Sequence, residues 1–321
     1  MSIFDRIRQN IRRKSILKGV AKLRELAVVD IMTKYVITIG PDDDVIKAAT
    51  KMIAEDISCL VVSDVEKSAI GVLSERDFLK KVPLTAQAFT MKAREVMSQN
   101  LYTVPLATKL TDAVGIMKAR KFRRLVVAEN SRMLGVVTQT DFTRILFRAF
   151  PCYPAVTELT VGHIMTKNVI TVTPKNSIVQ AKEKMLKNDI GAIIIADKSE
   201  VLGILTEYDV VMQFYDQRGK LDTKDISNYM RKHVRAVTPE TSVFEANKLM
   251  LDKNMRRLLI VDGNRIVGIV TQTDICRYMY FALNIIEKAA QAPDAVLKRL
   301  VPDSEVGAEY RTDHLKVYSF K

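Results

Sequence analysis

Apolar positions along the chain recur in two alternating patterns. At Val45, Ala48, Ala49, Met52 and Ile53 they follow the i, i+3, i+4, i+7, i+8 stripe of a helix with one buried face. The stripe returns at Ile178, Ala181 and Met185 and again at Val243, Ala246 and Met250. After each comes a short unbroken apolar run that ends in turn residues: CLVVSD, RLVVAE, AIIIAD and LLIVDG. Such runs, with no polar alternation, predict strands covered on both faces. A further run such as VLGILT follows each turn and leads into another helix. The pattern therefore predicts strand, helix, strand, strand, helix, several times over.

Two independent landmarks define the repeat. IMTKYVITIGP, VMSQNLYTVPL, IMTKNVITVTP and YMRKHVRAVTP place Met32, Met97, Met165 and Met230 in register, with spacings of 65, 68 and 65. GVLSERD, GVVTQTD, GILTEYD and GIVTQTD place Gly71, Gly135, Gly203 and Gly268 at spacings of 64, 68 and 65. One period decides the architecture. A unit of about 60 residues buries only a modest core and needs a partner unit. Units two and four share TQTD and an arginine pair, Arg123-Arg124 and Arg256-Arg257. Units one and three share a glutamate after the hydroxyl residue, Glu75 and Glu207, and small residues before the strand, Ser58-Cys59 and Gly191-Ala192. The alternation implies a duplicated pair, with unit one joined to two and three to four across a link near residues 150–154.

Composition narrows the function. A chain of 321 residues that is 48% hydrophobic can bury a substantial core. No run of about 18 apolar residues is present to span a bilayer, and the N-terminus lacks the apolar stretch of a signal peptide. Cys59, Cys152 and Cys276 are far apart and odd in number, which offers no disulfide framework and no CxxC metal site. A reducing cytoplasm fits that usage. His163, His233 and His314 are equally scattered, so no metal site and no general base is expected. Nothing resembles a nucleophile–base pair or a phosphate-binding GxxxxGK[ST] loop, and no catalytic residue is assigned. Much of the net charge of +13 sits in residues 1–27, where eight basic side chains face two acidic ones.

The opening M-T-x-x-V-x-T-V-x-P and the closing G-h-h-[ST]-x-x-D, h being apolar, resemble the two ends of the ligand cleft of the cystathionine-β-synthase (CBS) domain family. The resemblance covers residues 30–285 in four copies. It implies an α/β (α+β) fold of four β-α-β-β-α units over 32–90, 97–153, 165–222 and 230–285, packed as two Bateman modules with pseudo-two-fold symmetry. A helical arm over 1–27 precedes them and a tail over 286–321 follows. The resemblance also implies adenosine-containing ligands, AMP, ADP, ATP or S-adenosylmethionine, with no cofactor required. In that family's manner Asp77, Asp141, Asp209 and Asp274 would accept from the ribose hydroxyls. Ser74, Thr138, Thr206 and Thr271 would reach the ribose or first phosphate. The residue before the proline that ends the first strand, Gly40, Thr173 or Thr238, would contact the ligand; Val104 departs from the pattern. The backbone of Ile57, Phe122, Ile190 and Met255 would meet the base edge. Arg76 and the pairs Arg123-Arg124 and Arg256-Arg257 would clamp phosphate. Since the arginines come from units two and four, the clefts of Asp77 and Asp209 should bind best.

Each assignment has a plainer counterpart. [ST]-x-x-D before an apolar helix is also a capping box, and a surface arginine also covers an apolar edge with its stem. The basic arm fits three roles: packing on a module or dimer mate, contact with nucleic acid, or contact with an anionic membrane or protein. The sequence thus points to a non-catalytic nucleotide sensor that reports to a protein partner, with a homodimer expected. Its alternative is a nucleic-acid-binding regulator that uses residues 1–27.

Overall fold

The structure, a computed structural model, describes residues 23, 25–66, 68–149, 159–197, 200–221, 225–263 and 265–290. Most of the basic arm, the link at 150–154 and the tail beyond 290 lie outside the described residues. In the first unit β1 (Thr38–Ile39), α1 (Val45–Ala54), β2 (Cys59–Ser63), β3 (Ala69–Ser74) and α2 (Glu75–Lys81) follow in that order. A short helix α3 (Ala93–Val96) leads into the second unit. It contains β4 (Thr103–Val104), α4 (Leu110–Arg120), β5 (Arg124–Glu129), β6 (Arg132–Thr138) and α5 (Gln139–Ala149). The third contains α6 (Val161–Ile164), β7 (Thr171–Val172), α7 (Ile178–Lys187), β8 (Ala192–Asp197), β9 (Glu200–Thr206) and α8 (Glu207–Asp216). The fourth contains β10 (Ala236–Val237), α9 (Val243–Asp252), β11 (Arg257–Asp262), β12 (Arg265–Thr271) and α10 (Gln272–Ala290). Each unit folds one three-stranded sheet, the first strand parallel and the third antiparallel to the second.

The first strands are only two residues long, much shorter than the opening motif. The rest of that motif leaves its own sheet and joins the other unit of its pair. Val72 and Ser98 exchange backbone hydrogen bonds of 3.0 and 2.8 Å, and Thr33 and Val136 exchange bonds of 2.9 and 3.0 Å. Ile204 with Arg231 and Thr166 with Ile269 repeat the arrangement in the second pair. Unit one is thereby joined to two and unit three to four, as the alternation of the sequence predicts. The landmark residues meet at these crossings. A Cβ on Gly71 would lie 2.7 Å from Met97 Sδ, and one on Gly135 would lie 2.6 Å from Met32 Sδ and 2.8 Å from the Thr33 carbonyl. Gly203 meets Met230 and Gly268 meets Met165 in the same way. The repeating methionines and glycines are therefore knobs and holes that hold reciprocal units together.

The predicted helical faces do pack, but against the other module. Val45, Ala48, Ala49 and Met52 on α1 share one buried cluster with Ile178, Ala181 and Met185 on α7. Phe78 and Phe214 are buried within it and Phe89 packs against it, the Phe214 ring lying 5.0 Å from that of Phe78 and 5.1 Å from that of Phe89. A second cluster joins Leu110, Val114 and Phe142 of unit two with Val243, Ala246 and Ile275 of unit four. Unit one faces three, and two faces four. These apolar helical faces are covered within this one chain.

Candidate functional site

All four [ST]-x-x-D motifs form the capping box. Ser74, Thr138, Thr206 and Thr271 donate their hydroxyl protons to Oδ2 of the aspartate three residues on, at 2.5, 2.7, 2.7 and 2.6 Å. The backbone N–H of each hydroxyl residue donates to the same Oδ2, and each aspartate N–H returns a bond to the hydroxyl oxygen. Such a cap contributes about 1 kcal/mol. The hydroxyl proton is thus spent within the motif, and the hydroxyl can offer a ligand only a lone pair. What separates the units is the second carboxylate oxygen. Asp141 Oδ1 takes Arg144 at 3.1 Å, and Asp209 Oδ1 takes Arg231 Nε at 2.6 Å. Asp77 and Asp274 make no ion pair among the described residues.

A cleft of about 330 Å³ opens between units one and two. Ser74 and Asp77 form one wall, Ser98, Asn100 and Tyr102 of the opening segment of unit two another, and Phe122, Arg123 and Arg124 a third. A smaller cavity of about 160 Å³ has the same construction in units three and four. It is lined by Thr206 and Tyr208, by Arg231, His233 and Arg235, and by Met255, Arg256 and Arg257. The structure thus brings both arginine pairs beside the motif of the preceding unit. Glu75 lines both clefts.

Several expected contacts are arranged differently. Arg76 lines the first cleft, yet its guanidinium crosses to unit three. It donates to the Ile190 carbonyl at 2.7 Å and to Glu207 Oε1 at 2.9 Å, and it pairs with Asp189. That charge is neutralised by protein rather than left for phosphate. The Ile190 carbonyl, expected at a base edge, is occupied by the same arginine, and the Phe122 carbonyl accepts from Gln139 Nε2 at 3.2 Å. Phe122 and Met255 do line the clefts; Ile57 and Ile190 pack against the first core cluster. Gly40, Thr173 and Thr238 are absent from both linings. Thr173 instead turns the chain by bonding Asn176 Oδ1 through its N–H and its hydroxyl, at 2.9 and 3.0 Å.

Glutamates of units one and three form a charged seam between the modules. Glu207, only 1% exposed, binds Arg76 at 2.9 Å and Arg123 at 3.3 Å. Glu75, 4% exposed, holds Arg256 at 3.6 Å and leaves Oε1 without a hydrogen-bond partner. Burial raises the pKa of the Glu75 carboxyl against the pull of Arg256. Arg124 donates to Ser58 Oγ at 3.1 Å. At the matching seam of units two and four the crossing is neutral and symmetric. Thr140 donates to Gln272 at 2.7 Å and Thr273 to Gln139 at 2.8 Å. The sequence flagged Glu75 and Glu207 only as a shared oddity of two units. It also missed Arg231, His233 and Arg235, whose i, i+2, i+4 spacing on an extended segment was the available signal for one shared face.

Among the described residues no group of His, Cys, Asp and Glu could hold a metal ion, and no helix is long and apolar enough to cross a membrane. Small α/β units that exchange their opening segments in reciprocal pairs, each pair enclosing a polar cleft, make this a tandem-repeat protein of paired units. The CBS domain family matches at residues 28–84, 93–148, 161–216 and 224–280, and the chain belongs to that family. Uncharacterized protein MJ1404 of Methanocaldococcus jannaschii is 29% identical over 268 residues, 78% of this chain and 61% of that relative's length. Uncharacterized protein MJ1225 of the same organism is 29% identical over 205 residues, 60% of this chain and 72% of its own. The crystal structure of MJ1225, proposed as an archaeal homolog of g-AMPK, matches with a TM-score of 0.72 at 17% identity. It covers 79% of this chain and 100% of that one, a likeness of fold.

Proposed function

We propose that this chain is a regulatory sensor that binds an adenosine-containing ligand between paired CBS units and performs no chemistry of its own. The observation that carries the reading is the cleft of units one and two. Asp77, which forms no ion pair among the described residues, lines this cavity of about 330 Å³ together with Arg123 and Arg124. A carboxylate oxygen facing a cleft accepts well from a ribose diol, and two guanidinium groups in the same cleft suit a phosphate. The volume lies in the usual range of about 300–1,000 Å³ for small-molecule sites. AMP, ADP, ATP and S-adenosylmethionine all present the required diol.

The seam between the modules gives occupancy a route outward. Arg123 belongs to the cleft of units one and two and is held by Glu207 of unit three. A ligand that draws Arg123 away alters the contact between modules, and its differential affinity for the two arrangements sets the size of the response. The recipient is a protein partner or a second copy, in the cytoplasm. A second copy would have to dock on surfaces other than the helical faces already covered. The unit boundaries 32–90, 97–153, 165–222 and 230–285 belong to the same proposal. Thermal-shift screening of the full chain with AMP, ADP, ATP and S-adenosylmethionine tests it, since a bound ligand raises the melting temperature by mass action. No shift with any of the four sinks the sensor reading.

A further inference from the structure

Arg76 in unit one and Tyr208 in unit three hold the same place in the repeat, between the seam glutamate and the motif aspartate. The Arg76 guanidinium meets three acceptors of unit three: the Ile190 carbonyl at 2.7 Å, Glu207 Oε1 at 2.9 Å and the Asp189 carboxylate. Unit one carries the same three groups as Ile57, Glu75 and Asp56. Asp56 and Asp189 both turn the chain with positive φ, 48° and 52°. The N–H of Ile57 bonds the Met52 carbonyl at 3.0 Å, and that of Ile190 bonds the Met185 carbonyl at 3.0 Å. Glu75 N–H reaches the Ser58 carbonyl at 3.0 Å, and Glu207 N–H the Gly191 carbonyl at 3.1 Å. Two turns held by the same bonds present their acceptors alike.

The donors differ. Each glutamate gives Oε2 to an arginine, Glu207 to Arg123 at 3.3 Å and Glu75 to Arg256 at 3.6 Å. Glu207 Oε1 takes Arg76, whereas Glu75 Oε1, in a residue only 4% exposed, has no hydrogen-bond partner. The Ile57 carbonyl accepts no backbone hydrogen bond among the described residues, and Asp56 Oδ2 takes Asn254 at 2.8 Å. Tyr208 is neutral, and its ring instead lies 5.5 Å from the Arg231 guanidinium. A buried acceptor without a donor is costly until a donor reaches it.

Asp56, Glu75 and Tyr208 line the cavity of about 160 Å³, and Asp56 is exposed at its edge. Four arginines line it too. Arg231 is held by Asp209 and Arg256 by Glu75 itself, while Arg257 has Glu207 and Glu75 as acidic neighbours. Surrounding cations do not prevent such a contact: Arg76 binds its three acceptors in a cleft also lined by Lys80, Lys121, Arg123 and Arg124. A planar fork of N–H donors fits a carboxylate beside a carbonyl better than a compact ammonium does.

We propose that Asp56, Ile57 and Glu75 form a receptor for a guanidinium group that this chain does not itself supply. The donor is an arginine of a partner protein or a small guanidine, and it enters at Asp56. Once there it does for Glu75 what Arg76 does for Glu207. The receptor does not depend on adenosine binding, so either reading survives failure of the other.

Melting of the full chain in methylguanidinium chloride tests it, at about pH 8, where a carboxyl raised by burial is more fully ionised. Against an equal concentration of methylammonium chloride, about 20 mM of the guanidinium salt should raise the melting temperature by about 1–3 °C. Glu75→Gln should lose that response. Arg76→Ala, which uncovers the second set of acceptors, should melt lower and respond more strongly. Tyr208→Arg supplies the donor from within, so it should melt about 2 °C or more above the natural chain and no longer respond. Should that variant fail to fold, the comparison of salts on the natural chain still decides. Equal melting in the two salts, or a response that survives Glu75→Gln, overturns the proposal. Stronger binding of N-acetylarginine methylamide than of methylguanidinium identifies an arginine of a protein partner as the donor, and the reverse order identifies a small guanidine.

Discussion

The seam where unit one meets unit three and the seam where unit two meets unit four are built from the same motif positions and behave differently. Between two and four, Gln139, Thr140, Gln272 and Thr273 exchange two equivalent hydrogen bonds. Between one and three, Glu207 gathers two arginines while Glu75 keeps one at a distance, because Tyr208 replaces the arginine that symmetry calls for. A neutral crossing pairs each threonine hydroxyl with the opposite glutamine and buries no charge there. A charged crossing with an odd partner leaves a buried carboxylate half-paired on one side. Burying charge is costly unless it is matched.

The largest effect is expected at the matched half of the charged seam. Arg76→Ala strips Glu207 of its closer partner and frees the Ile190 carbonyl. Breaking a buried ion pair costs about 3–5 kcal/mol, and since Arg123 remains, the lower end of that range is expected. At Tyr208, which forms no ion pair, replacement by Ala should cost clearly less. Thermal unfolding of the two variants checks the contrast, and equal losses would remove it.

Next comes the contrast between the aspartates. Asp77→Asn should weaken an adenosine ligand by about 10–100-fold, as befits hydrogen bonds to a charged acceptor. Asp209→Asn should change affinity by less than about threefold, since Arg231 already holds that carboxylate. Titration calorimetry decides, and a loss of equal size at both would show that Arg231 yields to the ligand. The crossing glycines come third. Gly135→Ala and Gly203→Ala drive a methyl to 2.8 Å from the carbonyls of Thr33 and Arg231, whereas at Gly71 the carbonyl of Ser98 lies at 3.1 Å. Overpacking costs about 1–3 kcal/mol, with the first two expected near the middle of that range and Gly71→Ala at its foot. Denaturant unfolding orders the three.

The smallest effect concerns Glu75. Burial holds its pKa above the ordinary value, so folding favours the protonated form. Its contribution is therefore most favourable at low pH and is lost as pH rises through the raised pKa. Glu75→Gln should accordingly stabilise the protein at neutral pH by about 1 kcal/mol, and the gain should fade as pH drops into the carboxylate range. Melting temperatures of both proteins across that range test the sign; a gain that grows with acid would reverse it.

The repeat, its period and its grouping were legible in the sequence because each rests on spacing, and spacing survives whatever the chain packs against. The helical stripes on α1, α7 and α9 named buried faces correctly, since an apolar face must be covered by something. What covered them was not legible: only the fold shows the opposite module there. The methionine and glycine landmarks were visible as a pattern long before their cause, a knob from one unit filling a hole in the other, could be read. The candidate site divides the same way. The motif Ser74-x-x-Asp77 and the pair Arg123-Arg124 could be picked out by residue type. That Arg76 would spend its charge on Glu207, 131 residues away, could not.

By itself, then, the sequence determined which residues repeat, which faces are apolar and which side chains can accept or donate. Tertiary structure decided which of those groups satisfy one another and which are left over. A charge is available to a ligand only if no neighbour has claimed it, and neighbours across a module boundary are set by packing in three dimensions, where order along the chain gives no distance.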